Sequence, residues 1–411
     1  MMRYLLTLLF ALGIPSMGNT EEYTLGSDSM LQEGVPQGTV TKHTWTNSRL
    51  YPDTETDYWI YVPKQYTAEH SAAVMVFQDG EAYMDAEGSV RAPTVFDNLI
   101  HNGEMPITIG VFVNPAKKEQ PYDQRDIQYV AMDDTYARFV LEEILPEVGK
   151  NYSLTDDRAG RAIAGMSDGG LVSFTVGWER PDAFSKVISH IGSYTRLRGG
   201  SEYPYRIRKT RGDPKPLRVF LQDGSNDINL VEGNWTLANL SMASALMFAR
   251  YDYRFEMGTG GHDLKHGGAI FPDTLRWIWR DYPGVNAQPV DFSLVVGEWD
   301  VQSNYFGYIT DSRLTIAVAD GELVATILDP TDGELKVTDI SFENDMLIYE
   351  YAVPPSQLTW GSKNPEGAPG TMQAWSRVSE NAFSGALSRT TGSEVSEFDY
   401  SITGQRVSSA E

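Results

Sequence analysis

The run Gly165-Met166-Ser167-Asp168-Gly169-Gly170 sits between a short apolar segment, Arg161-Ala162-Ile163-Ala164, and a helix-prone stretch, Leu171–Trp178. This order predicts a strand, a sharp turn and then a helix. Glycines on both sides of the serine let the backbone bend and remove side chains that would clash in the turn. Such a turn lifts the Ser167 hydroxyl above the end of a sheet and aims a helix N-terminus at any negative charge that develops there. A buried sheet strand feeding a helix constrains this chain more than any bulk property does.

A serine nucleophile needs a base, and the six histidines (43, 70, 101, 190, 262 and 266) make the search short. In a sheet carrying this turn the partners follow in the order serine, acid, histidine, which leaves His190, His262 and His266. His190 lies inside the strand-like run Lys186–Ile191 and reads as a packed, hydrogen-bonded residue. His262 follows a β-prone segment and the glycines of Gly258-Thr259-Gly260-Gly261. A loop past the carboxyl end of a strand is where reacting groups collect, so His262 is the expected base. His266 is its competitor and more plausibly orients the loop. A metal reading of His262, Asp263 and His266 lacks a helix to bring two imidazoles to one face.

The orienting acid should follow the strand Leu217–Leu221. Asp227, past a Gly-Ser turn in Gln222-Asp223-Gly224-Ser225-Asn226-Asp227, is favoured over Asp223 and Glu232. Its role is to fix the imidazole tautomer and stabilise the imidazolium. For an oxyanion hole, one donor is the N–H of Asp168, and the loop Gln78-Asp79-Gly80-Glu81 offers a second, assigned to the N–H of Glu81.

Strand-like and helix-like segments alternate from about residue 40 to 283. Strands are expected at 58–62, 73–78, 107–113, 161–166, 186–190, 217–222 and 254–257, and helices at 134–148, 169–179, 230–250 and 269–280. That alternation predicts a doubly wound, mostly parallel α/β sheet. After Tyr282-Pro283-Gly284 the helical period disappears. Short β-prone runs at 314–318, 322–327, 335–340 and 346–351 are separated by Asp320-Gly321 and Asp332-Gly333, a hairpin signal. A smaller all-β sandwich or barrel is expected there. The aromatics Trp299, Tyr305, Phe306, Tyr308, Trp360 and Trp375 are either its core or a sugar-stacking face.

The first twenty residues carry one Arg, an apolar run from Tyr4 to Ile14 and then small residues, the pattern of a secretory signal peptide. The run is too short for a membrane span, which needs roughly 20 residues. The organisation expected is a signal peptide at 1–18, a polar leader at 19–39, the α/β domain at 40–283, a linker at 284–290, the β-rich domain at 291–400 and a frayed tail at 401–411. A secreted or periplasmic protein is therefore expected. With no cysteine there are no disulfides, thiolate metal sites or Cys nucleophiles. The formal charge of −23 argues against nucleic acid and anionic membrane surfaces, and the basic run Arg206–Arg211 reads as a solvated loop face.

Together these residues resemble the putative-esterase family of the α/β-hydrolase superfamily, which includes enterochelin esterases, feruloyl esterases and bacterial S-formylglutathione hydrolases. The resemblance covers roughly residues 38 to 283. It rests on Phe77-Gln78-Asp79-Gly80, Arg125-Asp126-Ile127-Gln128-Tyr129, Leu145-Pro146, Gly165–Gly170, Gly224-Ser225-Asn226-Asp227 and Gly260-Gly261-His262. It implies a carboxylic ester hydrolase without cofactor, strengthens Asp227, and places Arg125 on the substrate side, where it reads equally as a substrate contact or as a surface ion-pair residue. One departure stands out: the Arg-x-x-Glu-Tyr pattern of the enterochelin branch has Gln128 in place of the Glu. The readings in contention are an esterase acting on feruloyl- or acetyl-type esters of carbohydrate, with the β-rich domain as a glycan contact; a siderophore or other lactone esterase; and a binding protein with a vestigial hydrolase domain.

Overall fold

The computed structural model describes residues 23–118, 124–196, 199–286, 290–343, 345–353, 370–391 and 394–407. The expected signal peptide and Trp360 lie outside them.

The first domain is one eight-stranded sheet in the order β1-β2-β4-β3-β5-β6-β7-β10. Its strands are β1 (Thr39–Trp45), β2 (Thr56–Val62), β3 (Ala73–Gln78), β4 (Thr108–Val113), β5 (Arg161–Met166), β6 (Lys186–His190), β7 (Arg218–Gly224) and β10 (Asp252–Gly258). Between β7 and β10, β8 (Asn229–Leu230) and β9 (Gly233–Asn234) form a small separate ribbon. β1, β2 and β4 pair antiparallel, and every later neighbour is parallel. All six residues of β3 (AVMVFQ) are buried, as are those of β4 and β6. Strands covered on both faces cannot alternate polar and apolar residues, which explains their continuous apolar runs.

The helices are α1 (Gly80–Met84), α2 (Ala92–His101), α3 (Gln124–Tyr129), α4 (Thr135–Phe139), α5 (Leu145–Val148), α6 (Asp168–Glu179), α7 (Tyr203–Arg208), α8 (Trp235–Phe248), α9 (Lys265–Ala269) and α10 (Phe271–Trp279). A π-helical turn, Val140–Ile144, joins α4 to α5, so the segment expected as one helix at 134–148 is continuous but wider in its middle. One core cluster packs α4, α6 and α8 against one face through Phe139, Phe174 and Leu246. A second packs α2 and α10 against the other through Phe96, Leu275 and Ile278.

The β-rich domain is a closed antiparallel barrel of β11 (Gly297–Tyr305), β12 (Tyr308–Ala319), β13 (Glu322–Asp329), β14 (Gly333–Glu343), β15 (Met346–Val353), β16 (Gly370–Ser379), β17 (Ala382–Thr391) and β18 (Glu394–Arg406). Asp320 and Gly321 both have positive φ (54° and 85°) where they join β12 to β13, the backbone hand that a two-residue hairpin requires. Closure pairs β18 with β11 and leaves no strand edge.

Four expectations need correction. β18 runs to Arg406, so half of the expected tail is a barrel strand. The end of the leader is packed: Tyr23 stacks on His266 with ring centroids 4.4 Å apart and accepts the Thr259 N–H at 2.7 Å. The helix expected at 230–250 begins only at Trp235, because the β8–β9 ribbon takes its first residues. The basic run ends not in solvent but against the barrel, where Arg211 and Arg250 both bond Asp399 of β18, at 2.8 and 3.2 Å. Among the sugar-face candidates, Trp299 is fully buried in the barrel core, Tyr305 stacks on Tyr400, and the Arg250 guanidinium lies 3.5 Å over the Trp375 ring. Phe306 and Tyr308 remain exposed.

Candidate active site

The site is assembled at the carboxyl ends of β3, β5, β7 and β10. Ser167 is the residue between β5 and α6, with φ 56° and ψ −120°, a conformation that costs a non-glycine residue of order 1–3 kcal/mol. The turn is held by its backbone: the Ser167 N–H donates to the His190 carbonyl at 3.0 Å, and its carbonyl accepts from Leu171 and Ser193. Strand and helix approach so closely that a Cβ on Gly165 would lie 2.2 Å from the Gly169 oxygen, so only glycine fits.

The loops that follow β7 and β10 are zipped together. Ser225 N–H donates to the Gly258 carbonyl and Asn226 N–H to that of Gly260, at 2.9 and 3.1 Å, while the Asn226 side chain holds the Thr259 carbonyl at 2.7 Å. A Cβ on Gly224 would meet the Gly260 oxygen at 2.1 Å. This tie delivers His262 to Ser167. Its Nε2 lies 2.9 Å from Ser167 Oγ, and its Nδ1 lies 2.6 Å from Asp227 Oδ1. With the proton on Nδ1, imidazole donates to the carboxylate and Nε2 is free to accept from the hydroxyl. The Asp227 side chain is fully enclosed and also accepts the Ile228 N–H at 2.6 Å. Burial works against its charge, but the hydrogen bond from His262 leads the effects that outweigh it and hold the carboxyl below the usual range.

Two residues that sequence reasoning missed complete this line. Ser193 Oγ lies 3.2 Å from Ser167 Oγ and accepts the indole N–H of Trp235 at 3.1 Å. The same indole stands edge-on to His262, at 6.0 Å and 84°. No sequence pattern marks Ser193, which reaches the site only because the chain turns back after β6.

The oxyanion donors differ in part from expectation. Asp168 is the first residue of α6, so its N–H has no partner within the helix. The N–H of Glu81, however, donates to Asn114 Oδ1 at 3.0 Å, and Asn114 Nδ2 donates back to the Glu81 carboxylate at 3.1 Å. That N–H is spent. Gly80, the first residue of α1, has no partner for its N–H within its own helix and is the remaining candidate donor of this loop.

Arg125 is found in ion pairs, one of its two expected readings. Its Nε and Nη2 grip the Asp79 carboxylate at 2.9 and 2.8 Å, and Nη1 donates to Asp168 Oδ2 at 2.7 Å. The planar fork bridges the oxyanion loop and the residue after the serine, which makes it a clamp between them. Burial opposes the charge of Arg125, but the two carboxylates more than compensate and raise its pKa. Gln128 is buried and accepts the Ala116 N–H at 2.8 Å.

His190 and His266 stay out of this line. His190 is fully buried, bonded to the Tyr83 hydroxyl at 3.0 Å, and pushed down to about 3 by desolvation, so it is neutral. His266 bonds Gln222 at 3.0 Å. Among the described residues no cluster of His, Asp and Glu could hold a metal ion.

Residues 51–265, more than half of the chain, match the family described as Putative esterase. The chain belongs to this esterase family. The match spans Ser167, Asp227 and His262 and stops short of the barrel. The esterase is 24% identical over 247 residues to the uncharacterized protein YjcH of Bacillus subtilis, covering 58% of this chain and 97% of that one. It is 21% identical to the iron(III) enterobactin esterase of Dickeya dadantii, covering 57% of this chain and 53% of the relative, so it spans about half of that protein's length. A solved structure of a ferulic acid esterase superposes with a TM-score of 0.49 at 21% identity, covering 59% of the esterase and 99% of that chain.

Proposed function

We propose that this protein is an exported serine carboxylesterase that works through an acyl-enzyme, acting on acyl esters of carbohydrate. The observation that carries the reading is the unbroken line of bonds from Ser167 Oγ through His262 to Asp227, at 2.9 and 2.6 Å.

The chemistry follows from that line. His262 Nε2 takes the proton as Ser167 Oγ attacks the ester carbonyl, and Asp227 stabilises the imidazolium that results. Negative charge builds on the carbonyl oxygen, where the N–H groups of Asp168 and Gly80 and the N-terminus of α6 face it. Collapse of the tetrahedral adduct breaks the C–O bond, and His262 returns its proton to the leaving alcohol. Water, activated by the same imidazole, then attacks the acyl-serine and releases the acid. The resting geometry needs no side-chain movement to begin this sequence.

Two observations support carbohydrate esters over siderophore lactones. The position where the enterochelin branch carries a carboxylate is Gln128, turned inward onto the Ala116 N–H. The barrel keeps Phe306 and Tyr308 exposed, a surface on which sugar rings could stack. Export rests on the signal-peptide pattern of the first eighteen residues.

The test is a panel of p-nitrophenyl acetate, methyl ferulate, feruloylated and acetylated oligosaccharides and a catechol trilactone, each with wild type and Ser167→Ala. Turnover of the sugar esters that disappears in Ser167→Ala is expected. Wild-type rates in that variant would refute the nucleophile. Turnover of the trilactone alone would replace the substrate assignment. Sequencing the N-terminus of protein recovered outside the cytoplasm tests export.

A further inference from the structure

Two carboxyl groups, Asp223 and Asp227, each carry a buried oxygen that no donor reaches. Asp223, at the carboxyl end of β7, is fully buried, and its Oδ1 accepts the Gly224 N–H at 2.8 Å. Its Oδ2 has no hydrogen-bond partner, and neither do the equally buried Asp227 Oδ2 and Asn239 Oδ1. Yet the Asp223 carboxyl is in hydrogen-bonding contact with the side chains of both Asp227 and Asn239. Two carboxyls in contact, each with a buried oxygen and no proton between them, is an arrangement that a folded interior does not tolerate.

Turning the Asn239 amide over does not supply the missing donor without loss. Its Nδ2 already holds the carbonyls of Gly192 and Trp235, at 2.9 and 3.1 Å. Reversal would set the amide oxygen against both of them. Nor can both carboxyls be ionised, because like charges in contact in a dry site repel strongly. One proton shared by the pair supplies the donor that the two carboxyl oxygens lack.

The proton belongs on the acid that has less to hold its charge. Asp227 receives the imidazole N–H of His262 and the N–H of Ile228, both at 2.6 Å. Asp223 has only neutral partners, the Gly224 N–H and the Asn239 side chain, and no cation beside it. We infer that Asp223 is a neutral carboxylic acid in the working protein, and that its O–H donates to Asp227 Oδ2, making it a positioning residue for the proposed ester hydrolysis. Burial, with the Asp227 carboxylate next to it, pushes the Asp223 carboxyl up to about 9. The direction agrees with the count of donors.

This inference rests on the Ser167–His262–Asp227 reading and adds a fourth member to it. The O–H pins the plane of the Asp227 carboxylate, so that Oδ1 stays on His262 Nδ1 as the imidazolium forms. It also keeps the net charge of the pair at one, which spares the site a second buried anion. Asp227 and, through it, His262 are the titratable groups that face Asp223. α8 contributes the neutral Asn239, and β10 contributes Met257 as register partner. His190 and His266 flank Gln222, the preceding strand residue, whose side chain points to the other face. Raising the pH past the point where Asp223 ionises removes the donor and sets two carboxylates against each other.

Two measurements test this. The first is the infrared band of a neutral carboxylic acid at pH 7.5 in the full chain, which needs no turnover. Wild type should show it, and Asp223→Asn should lack it. Absence of the band in wild type, or its persistence in Asp223→Asn, overturns the inference. The second is kcat/KM for p-nitrophenyl acetate from pH 6 to 10.5. Wild type should fall on the alkaline side. Asp223→Asn, whose amide N–H still donates to Asp227 but cannot ionise, should lose no more than about fivefold near neutrality and show no such fall. Asp223→Ala should lose about tenfold or more in kcat with KM little changed. An alkaline fall that survives unaltered in Asp223→Asn overturns the inference too. The infrared result stands whatever Ser167→Ala does, so failure here and failure of the nucleophile assignment are read separately.

Discussion

Ser193 and Ser167 present their hydroxyls to each other at 3.2 Å, and the indole N–H of Trp235 is donated to Ser193. Because the Trp235 indole N–H occupies an acceptor lone pair of Ser193 Oγ, that hydroxyl is left to donate toward Ser167 Oγ, which in turn directs its own proton to His262. Ser193→Ala should lower kcat about five- to tenfold, the worth of one neutral hydrogen bond in a dry site. Trp235→Phe should do the same while keeping the ring edge against His262. Steady-state kinetics on any ester that wild type turns over will check both; unchanged kcat in the two variants would remove Ser193 from the proton path.

The Arg125 clamp ties Asp79, beside the oxyanion loop, to Asp168, beside the nucleophile. Lysine keeps the charge but not the planar fork. Arg125→Lys is expected to lower kcat/KM roughly 10- to 100-fold, because loss of the second arm lets the two oxyanion donors drift apart. Stability should fall by only about 1–2 kcal/mol, since the guanidinium is a quarter exposed. A full kinetic profile with thermal melting separates these effects; normal kcat with a lowered Tm would make the clamp merely structural.

Gly224 and Gly260 touch backbone to backbone, and a methyl group between them has nowhere to go. Gly224→Ala should cost about 1–3 kcal/mol and push the His262 loop away from Ser167. Activity is expected to drop further than stability does. Retention of wild-type turnover at a temperature where the variant is fully folded would show that the loop tie is dispensable.

The pH dependence of stability follows from the Asp223 proton. In the unfolded chain Asp223 loses its proton near pH 4, whereas in the folded chain it keeps it to about pH 9. Between those limits the folded state holds the extra proton, so this group's contribution to stability falls as pH rises. Asp227 has the opposite sign, because its carboxyl is lowered: the stability it contributes is present above the unfolded carboxylate pKa and lost in acid. Wild type should therefore lose Tm more steeply than Asp223→Asn between pH 5 and 8.5. Parallel melting curves for the two proteins across that range would count against a protonated Asp223.

Much of this was readable in the residues. β3, β5 and β6 announce themselves as apolar runs because both faces of the sheet are covered, and Asp320-Gly321 marks its hairpin because the turn needs positive φ at both positions. Ser167, Asp227 and His262 follow from the turn chemistry and from strand ends. Other features depend on partners far away in the chain and leave no local trace. The N–H of Glu81 is taken by Asn114, thirty-three residues on. Arg211 reads as solvated until β18 brings Asp399 to it. β1 escapes notice because it lies at the sheet edge, where Thr39–Trp45 alternates weakly and stays largely exposed. Asp223 looked like the losing candidate for the acid, because sequence offers two carboxylates and no means of seeing that one sits beneath the other.

The pairing of β11 with β18 brings Trp299 opposite Arg406, so the barrel's first and last strands are neighbours. A module whose two ends emerge side by side behaves as a cassette: spliced into a surface loop of an unrelated carrier, it should fold without straining its host, and new termini opened in one of its hairpins should be tolerated. The barrel can thus be moved, permuted or exchanged as a unit, leaving the sheet that carries Ser167 to be studied with a different companion.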